Sequence, residues 1–400
     1  MKKIFILLTV LFTAAAVSDL RPDNEGMGRT GAAFLKIPVG GRMLGMAEAF
    51  TAVADDPYAL AGNVAGISRN RDLEISFSHL EWFGGVDCEY FGATSSFFRG
   101  FGGFDSTLGV AFEYLHVPDF PSYDDWGVQS GSAKFGAYNL MLGYAQKIGP
   151  LSAGVGMKML GESCLGQMDG AAAFNLGLLF SFRLPSFRFL NREFVSRPVD
   201  LGFLLENWGL GTKVGGFPTP VQWKLGGAFR PFDPLLLAAD FQLVEGNRFR
   251  LNVGGELNVF KLFYIRMGYR FFGYETDTYT IGLGGRITLG RKLVKADLFF
   301  APAGGLGNTF GIALSMKYPG RISDEDRNAA QILYYRGIYY FTRGETEKAV
   351  EMWEAALKID PTMAIAGVKI SEARRLQDLQ SVESSVKEKL KNENAEAPPQ

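Results

Sequence analysis

The sequence is poor in the residues on which much protein chemistry depends. Its 400 residues include two cysteines and two histidines, and the formal net charge is −1. Cys88 and Cys164 make neither a disulfide framework nor a zinc site, so one disulfide and two unpaired thiols are the alternatives, the second being favoured. A net charge this small excludes a strong overall field that would attract nucleic acid or anionic lipid.

Candidate catalytic groups are equally scarce. The chain has no phosphate-binding loop, nucleotide fingerprint or metal-ligand spacing, and His79 and His116 are interpreted as ordinary strand-end residues. Ser78 and His79 cannot form a catalytic pair, because neighbouring side chains on a strand point to opposite faces. We therefore expect no enzymatic activity, no catalytic residue, no metal and no cofactor.

Long hydrophobic runs are also missing. After residue 20 no apolar stretch approaches the roughly 20 residues of a transmembrane helix. The N-terminus has two lysines, an apolar run from Ile4 to Phe12 and small residues up to Ser18. This order predicts a signal peptide over residues 1–18, whereas the alternative, a membrane anchor, needs a longer apolar core. The absence of a cysteine near the cleavage zone argues against a lipoprotein.

The sequence is rich in glycine and in stretches where apolar and polar residues alternate. It contains 50 glycines, with 14% aromatic and 21% charged residues. Between residues 71 and 318, apolar and polar side chains alternate over stretches of about ten residues, which is typical of strands that cross a bilayer. We predict fourteen such strands, near 71–83, 86–98, 104–115, 135–147, 150–161, 170–183, 198–208, 220–231, 234–244, 248–260, 262–272, 277–289, 292–300 and 308–318.

The polar face of these strands favours a membrane barrel over a soluble β-sandwich or propeller. It carries many glycines together with charged side chains, namely Lys224, Arg230, Arg250, Glu256, Arg266, Arg270 and Arg286. Aromatic residues also fall often at strand ends, as an interfacial girdle does. An even number of antiparallel strands closes without leaving an edge in lipid.

The N-terminal segment carries a family pattern. Residues 34–37 read Phe-Leu-Lys-Ile, Arg42 lies between glycines at 40, 41 and 45, and residues 49–56 read Ala-Phe-Thr-Ala-Val-Ala-Asp-Asp. A third motif consists of Asn63, Ala65 and Gly66, with Val64 where proline is usual. The segment resembles the N-terminus of PorV/PorQ-type proteins, which belong with FadL-like outer-membrane transporters. The resemblance implies a fourteen-stranded barrel whose residues 19–70 fold into the lumen as a hatch.

Two interpretations of the hatch stay open. Its apolar side chains line a path for a hydrophobic ligand, or they only pack the plug; these candidates are Phe34, Leu35, Met43, Leu44, Met46 and Phe50. Asp55 and Asp56 precede Pro57, and we interpret them as the start of a turn or helix rather than as a metal site or acid–base pair.

From residue 319 the composition becomes helical, with 12 basic and 14 acidic side chains in the last 82 residues. Residues 330–363 fit one tetratricopeptide repeat, a unit of about 34 residues. Its landmarks are Leu333, Gly337, Tyr340, Ala349, Trp353, Ala356 and Pro361. We predict a capping helix near 363–390 and a disordered tail at 391–400. The domain, residues 319–390, either docks a periplasmic protein or serves as a spacer.

Together these patterns predict an all-β transmembrane barrel over residues 71–318, with an N-terminal luminal hatch and a small C-terminal α-helical domain. The resemblance implies a place in the cell outer membrane and uptake of hydrophobic compounds such as long-chain fatty acids. The alternative is a PorV-like secretion or surface-attachment scaffold without transport. Expected partners are outer-membrane lipid, hydrophobic small molecules and a periplasmic protein, but not nucleic acid. A third strand disordered or kinked near Pro118 and Pro121 would favour a lateral exit for lipid.

Overall fold

The structure, a computed structural model, describes most of the chain. The described residues are 29–70, 72–99, 105–184, 187–189, 192–194, 197–244, 249–271, 278–289, 292–302, 307–318, 324–361 and 363–395. The predicted signal peptide, residues 1–18, lies outside them. The chain divides into two compact units, with the boundary after residue 320.

The first unit is a closed barrel of fourteen antiparallel strands. They are β1 (Leu73–Trp82), β2 (Val86–Arg99), β3 (Asp105–Tyr123), β4 (Gln129–Ile148), β5 (Leu151–Cys164), β6 (Gln167–Leu184), β7 (Arg197–Trp208), β8 (Gln222–Phe232), β9 (Leu235–Val244), β10 (Arg250–Val259), β11 (Phe263–Phe271), β12 (Thr278–Leu289), β13 (Lys292–Pro302) and β14 (Asn308–Tyr318). Each strand pairs with the next, and β14 pairs with β1 from Leu73↔Tyr318 to Glu81↔Phe310. The predicted fourteen-stranded barrel is confirmed.

Alternation decides which side chains face the lumen. In β1, Glu74, Ser76 and Ser78 are buried inside the barrel, whereas Phe77 between them is exposed outside. The same alternation recurs in the other strands: apolar side chains cover the outer wall, and the lumen is lined mainly by polar side chains and glycines, with apolar exceptions such as Leu115 and Leu160.

Strands β3 and β4 are longer than their alternation predicts. The β3–β4 ladder continues to Tyr123↔Gln129, with register shifts at Val117/Phe120 and at Ser122/Tyr123. Two short hairpins were also not predicted: residues 187–189 with 192–194, and 213–214 with 217–218. These parts pair outside the wall and have no lipid-facing side. They therefore lack the alternation of apolar and polar residues from which strands were predicted.

The N-terminal residues 29–70 form short turns of helix. These are 3-10 helices at Ala33–Lys36, Pro57–Leu60 and Val64–Arg69, and one short α-helix, α1 (Gly41–Gly45). Among the described residues no helix is both long and apolar enough to cross a membrane.

The second unit consists of three helices, α2 (Asp324–Thr342), α3 (Thr346–Ile359) and α4 (Ala364–Ala395). The Trp353 side chain is fully buried and its indole N–H donates to the carbonyl of Tyr334 at 3.1 Å. A methyl group on Gly337 would lie 2.3 Å from the Trp353 indole nitrogen, so only glycine admits this ring.

The remaining landmark positions lie in α2 and α3 or directly after α3. Ala349 and Ala356 are fully buried, while Leu333 and Tyr340 are half-buried and Pro361 follows α3. Of the residues predicted as a disordered tail, 391–395 continue α4, and 396–400 lie outside the described residues.

Candidate functional site

The most unusual feature of the barrel is that residues 29–70, here named the luminal segment, fill its interior. The side chains of Met46, Ala49, Ala54 and Val64 are fully buried against the wall. The segment runs from the lumen face of β3–β6 past β11–β14 and β7–β8, and returns to β4–β6 before β1 begins.

A row of lumen-facing glycines, the glycine belt, lets the segment approach the wall. Its members are Gly109, Gly143, Gly154, Gly177, Gly202, Gly226, Gly254, Gly268 and Gly282. A methyl group on Gly268 would lie 2.5 Å from the carbonyl carbon of Met46, and one on Gly202 would lie 2.4 Å from the carbonyl oxygen of Thr51. Contacts this short exclude any side chain, which explains much of the glycine excess.

Hydrogen bonds from the wall satisfy the segment's backbone. Asp240 of β9 accepts from the amides of Phe50 and Thr51, at 3.0 and 2.8 Å. Asn63 accepts from the amide of Ala65 at 3.2 Å and donates to the carbonyls of Thr51 (2.9 Å) and Leu178 (3.1 Å). The predicted motif residue Asn63 is therefore a helix cap that also ties the segment to β6.

The other motif residues pack within the segment. Ala65 and Gly66 are buried, and a methyl group on Gly66 would lie 2.6 Å from the methyl group of Ala54. The Asp56 side chain caps a 3-10 helix by accepting from the Tyr58 amide at 3.1 Å, with Pro57 at the first helical position. Burial and then the neighbouring Asp55 carboxylate raise the pKa of Asp56 to about 7.

An ion-pair network, here named the latch, fixes α1 to the wall. The Arg42 guanidinium donates to both oxygens of Glu256, at 2.9 and 3.0 Å, and to Asp55 at 2.7 Å. Arg266 donates to the same Glu256 at 2.7 Å and to Asp297 at 2.6 Å. These five side chains alternate in charge, which offsets the cost of burying them.

A second ion pair holds the end of the segment. Arg69 donates to Asp200 of β7 at 2.8 Å and to the carbonyl of Ala52 at 2.9 Å. Sequence reasoning did not identify Arg42 or Arg69 as anchors. Their signal was present, since each is an arginine in a segment that is rich in glycine, alanine and apolar residues and has few charged side chains.

The six predicted ligand-path residues are all buried but lie in two groups. Phe34 and Leu35 belong to one apolar cluster, which we name the hairpin-end cluster; its members are Ala32, Phe34, Leu35, Leu115, Ala137, Leu160, Ala173 and Val214. Val214 comes from the hairpin between β7 and β8, and the Gly31 amide donates to the Pro218 carbonyl of that hairpin at 2.9 Å.

Met43, Leu44, Met46 and Phe50 belong to a second cluster, which also contains Tyr58, Leu60 and Tyr90. Tyr58 and Tyr90 have ring centroids 5.1 Å apart, and Tyr90 donates to the carbonyl of Pro57 at 2.7 Å. The candidate path residues thus lie in two apolar clusters of the lumen, and the half-buried Ile37 packs against both.

The wall is continuous at the third strand. From Ser106 to His116, β3 pairs with both β2 and β4. Pro118 and Pro121 lie beyond that stretch, where β3 pairs with β4 alone. Near Pro118 and Pro121, β3 is an ordered strand with a register shift between Val117 and Phe120.

The histidines and cysteines lie away from the latch. His79 pairs with Glu89 at 2.6 Å, and His116 approaches Asp87 at 3.8 Å. Cys88 is buried and Cys164 exposed, and both are free thiols. Within the described ranges, no group of three or more His, Cys, Asp or Glu side chains is placed to hold a metal ion.

Comparison with known proteins finds likeness in structure but not in sequence. No protein-family model and no curated protein matches the chain. The structure is similar to that of the Ralstonia pickettii toluene transporter TbuX, with 11% identity, a TM-score of 0.47 and coverage of 71% of this chain and 98% of the other. A Pseudomonas aeruginosa FadL homologue has 11% identity and a TM-score of 0.45, with coverage of 71% of this chain and 98% of the other. The P. putida toluene transporter TodX has 11% identity and a TM-score of 0.44, with coverage of 70% and 98%. At these values, function has to be inferred from the residues of this chain.

Proposed function

We propose that this chain is an outer-membrane barrel that takes up hydrophobic compounds through a lumen closed by its own N-terminal segment. The observation that carries the proposal is the hairpin-end cluster. Water-filled porins have a polar lumen, whereas Phe34, Leu35, Leu115 and Leu160 gather here inside the wall. Apolar lining at that depth suits a substrate that leaves water rather than a hydrated solute.

The outer surface supports the membrane location. Large apolar side chains stand exposed around the wall, among them Phe77, Phe112, Leu178, Leu237 and Ile281. Soluble proteins rarely expose continuous apolar surface of more than a few hundred Å². In contact with lipid tails, such a surface carries no free-energy cost of exposing apolar groups to water.

Passage requires the luminal segment to move, and its attachment is suited to movement. The segment is held by ion pairs and hydrogen bonds from Arg42, Arg69 and Asp240. Such contacts exchange for water when the segment shifts, and each is worth far less than a strand of the wall.

The finer parts of the proposal rest on the N-terminal motifs and on the repeat landmarks of residues 330–363. We assign the luminal segment as the hatch of a PorV/PorQ-type, FadL-like protein and take long-chain fatty acids as its substrate. The three C-terminal helices are assigned to the periplasm as a tetratricopeptide-like unit that docks a protein partner.

The proposal is tested by measuring uptake in a deletion strain that is complemented with variants of the chain. Leu160→Asn places an amide in the hairpin-end cluster, and we expect slower uptake of labelled long-chain fatty acid. Leu204→Asn is the matched control, since Leu204 is equally buried in the wall but belongs to neither apolar cluster. Equal uptake by the two variants, at equal amounts of folded barrel, would sink the uptake proposal.

A second candidate function is a secretion or surface-attachment scaffold without transport. It is favoured by the close packing of the luminal segment, whose Met46, Ala49 and Val64 side chains are fully buried. A deletion strain with unchanged fatty-acid uptake and an altered set of surface proteins would support the scaffold and contradict uptake.

A further inference from the structure

The end of the β3–β4 hairpin extends beyond the barrel wall. The ladder runs on to Tyr123↔Gln129, but β2 reaches only as far as His116 and β5 only as far as Phe135. Residues 117–134, here named the arm, are therefore a two-stranded hairpin that continues past its neighbours. Its seven β3 residues correspond to roughly 20 Å at ~3.3 Å per residue.

The two edges of the arm differ in what they offer. On the β3 edge, Pro118 and Pro121 have no N–H to donate, which protects an edge against pairing. On the β4 edge, residues 129–134 contain no proline, and Ser130, Gly131 and Ser132 are small and exposed. The Leu165 amide donates to the Lys134 carbonyl at 3.4 Å, and no described strand pairs with residues 129–133, so their outward N–H and C=O groups are available to an added strand.

The basic side chain that could protect the β4 edge against pairing forms an ion pair with the other strand. Lys134 is the only basic residue of the arm, and its ammonium lies 3.4 Å from Asp119 on the other strand. The Asp124 side chain accepts from the amides of Trp126 and Val128, both at 2.9 Å, and so shapes the turn.

The arm also exposes more apolar surface than a short hairpin tolerates in water. Trp126 is 89% exposed, Val128 62% and Tyr123 61%. With Asp119, Asp124 and Asp125 against Lys134, the arm carries a net charge of −2. A partner that covers it is expected to be extended, basic and partly apolar.

We propose that the arm is a docking site for a basic, extended segment of a partner protein, which adds as a strand to the β4 edge at residues 129–133. The exposed aromatic side chains then cover the apolar residues of that segment. This role does not depend on uptake, because the arm lies outside the luminal segment and the wall.

The test uses the full-length protein in nanodiscs and an eight-residue peptide that alternates lysine and valine, with an acidic peptide of the same pattern as control. Binding is measured by fluorescence anisotropy. We expect the basic peptide to bind and the acidic one to bind at least about tenfold more weakly. Replacing residues 119–132 by a two-residue turn should abolish binding. Asp125→Asn should weaken binding because it removes a negative charge, and it should leave the hairpin folded because Asp125 forms no part of the turn contacts.

N-methylation separates strand addition from other modes. Peptides methylated on the amides of one edge or of the other differ only in which side of the strand can donate. We expect methylation of one edge to weaken binding about tenfold or more and methylation of the other edge to leave it unchanged. Equal loss with both peptides, equal binding of acidic and basic peptides, or no binding at all would overturn the proposal. So would stronger binding of an oligosaccharide through Trp126 and Tyr123.

Discussion

The latch allows one prediction to be worked through from distances. Arg42→Gln removes a guanidinium that donates to Glu256 and Asp55 at 2.7–3.0 Å. Loss of one partner of a buried pair costs about 3–5 kcal/mol, and the lower figure applies here because Arg266 still neutralises Glu256 at 2.7 Å. About 3 kcal/mol raises the ratio of displaced to docked luminal segment roughly a hundredfold.

Thiol accessibility measures that ratio. Met46→Cys places a reporter at a fully buried position of the luminal segment, in a chain whose Cys88 and Cys164 are replaced by Ala and Ser. The rate of modification by a water-soluble maleimide reports the displaced fraction when redocking is fast. We expect Arg42→Gln to speed labelling roughly a hundredfold, and Arg42→Gln with Glu256→Gln to speed it by less than the product of the two single accelerations. An unchanged rate in Arg42→Gln would refute the latch.

Three further outcomes follow from the same structure. Gly268→Leu should displace the luminal segment and speed the same labelling, whereas Gly285→Leu, which meets nothing within 4 Å, should not. Because the pKa of Asp56 is raised to about 7, its stabilising effect is present at low pH and is lost as the pH rises through about 7; the Tm of Asp56→Asn should therefore fall less between pH 5 and pH 8 than that of the wild type. Trp353→Ala should unfold the C-terminal helices, with a cost of about 3–5 kcal/mol seen as lost helical circular dichroism, whereas exposed Tyr335→Ala should not.

The strands of the wall could be predicted because their signal is local. Period-two alternation over ten residues needs no knowledge of neighbours, and all fourteen predicted strands are present. The arm was missed because Pro118 and Pro121 normally end a strand in a sheet interior. They are compatible with β3 since that edge has no neighbour to receive an N–H.

The site could be predicted only in part, because its contacts are remote in sequence. Arg42 and Glu256 are 214 positions apart, and no local pattern couples them. The glycine excess signalled close approach of backbones, but not that Gly268 faces Met46 or that Gly202 faces Thr51. The motifs between residues 34 and 66 drew attention to this segment, but no local pattern assigns Phe34 and Leu35 to a different apolar cluster from Met43 and Phe50.

A reversible lock between the luminal segment and the wall tests the central claim most directly. The Cβ of a residue at Gly41 would lie 3.3 Å from the Cβ of Ala313, close to the separation in a disulfide, and 2.6 Å from the Cβ of Asp297, so Asp297→Gly is needed to make room. Gly41→Cys with Ala313→Cys and Asp297→Gly, in a chain without Cys88 and Cys164, is reconstituted in liposomes and assayed for passage of labelled fatty acid, with Asp297→Gly alone as the control. We predict no passage when the pair is oxidised and recovery on reduction. Equal passage in both states would contradict a lumen gated by its N-terminal segment.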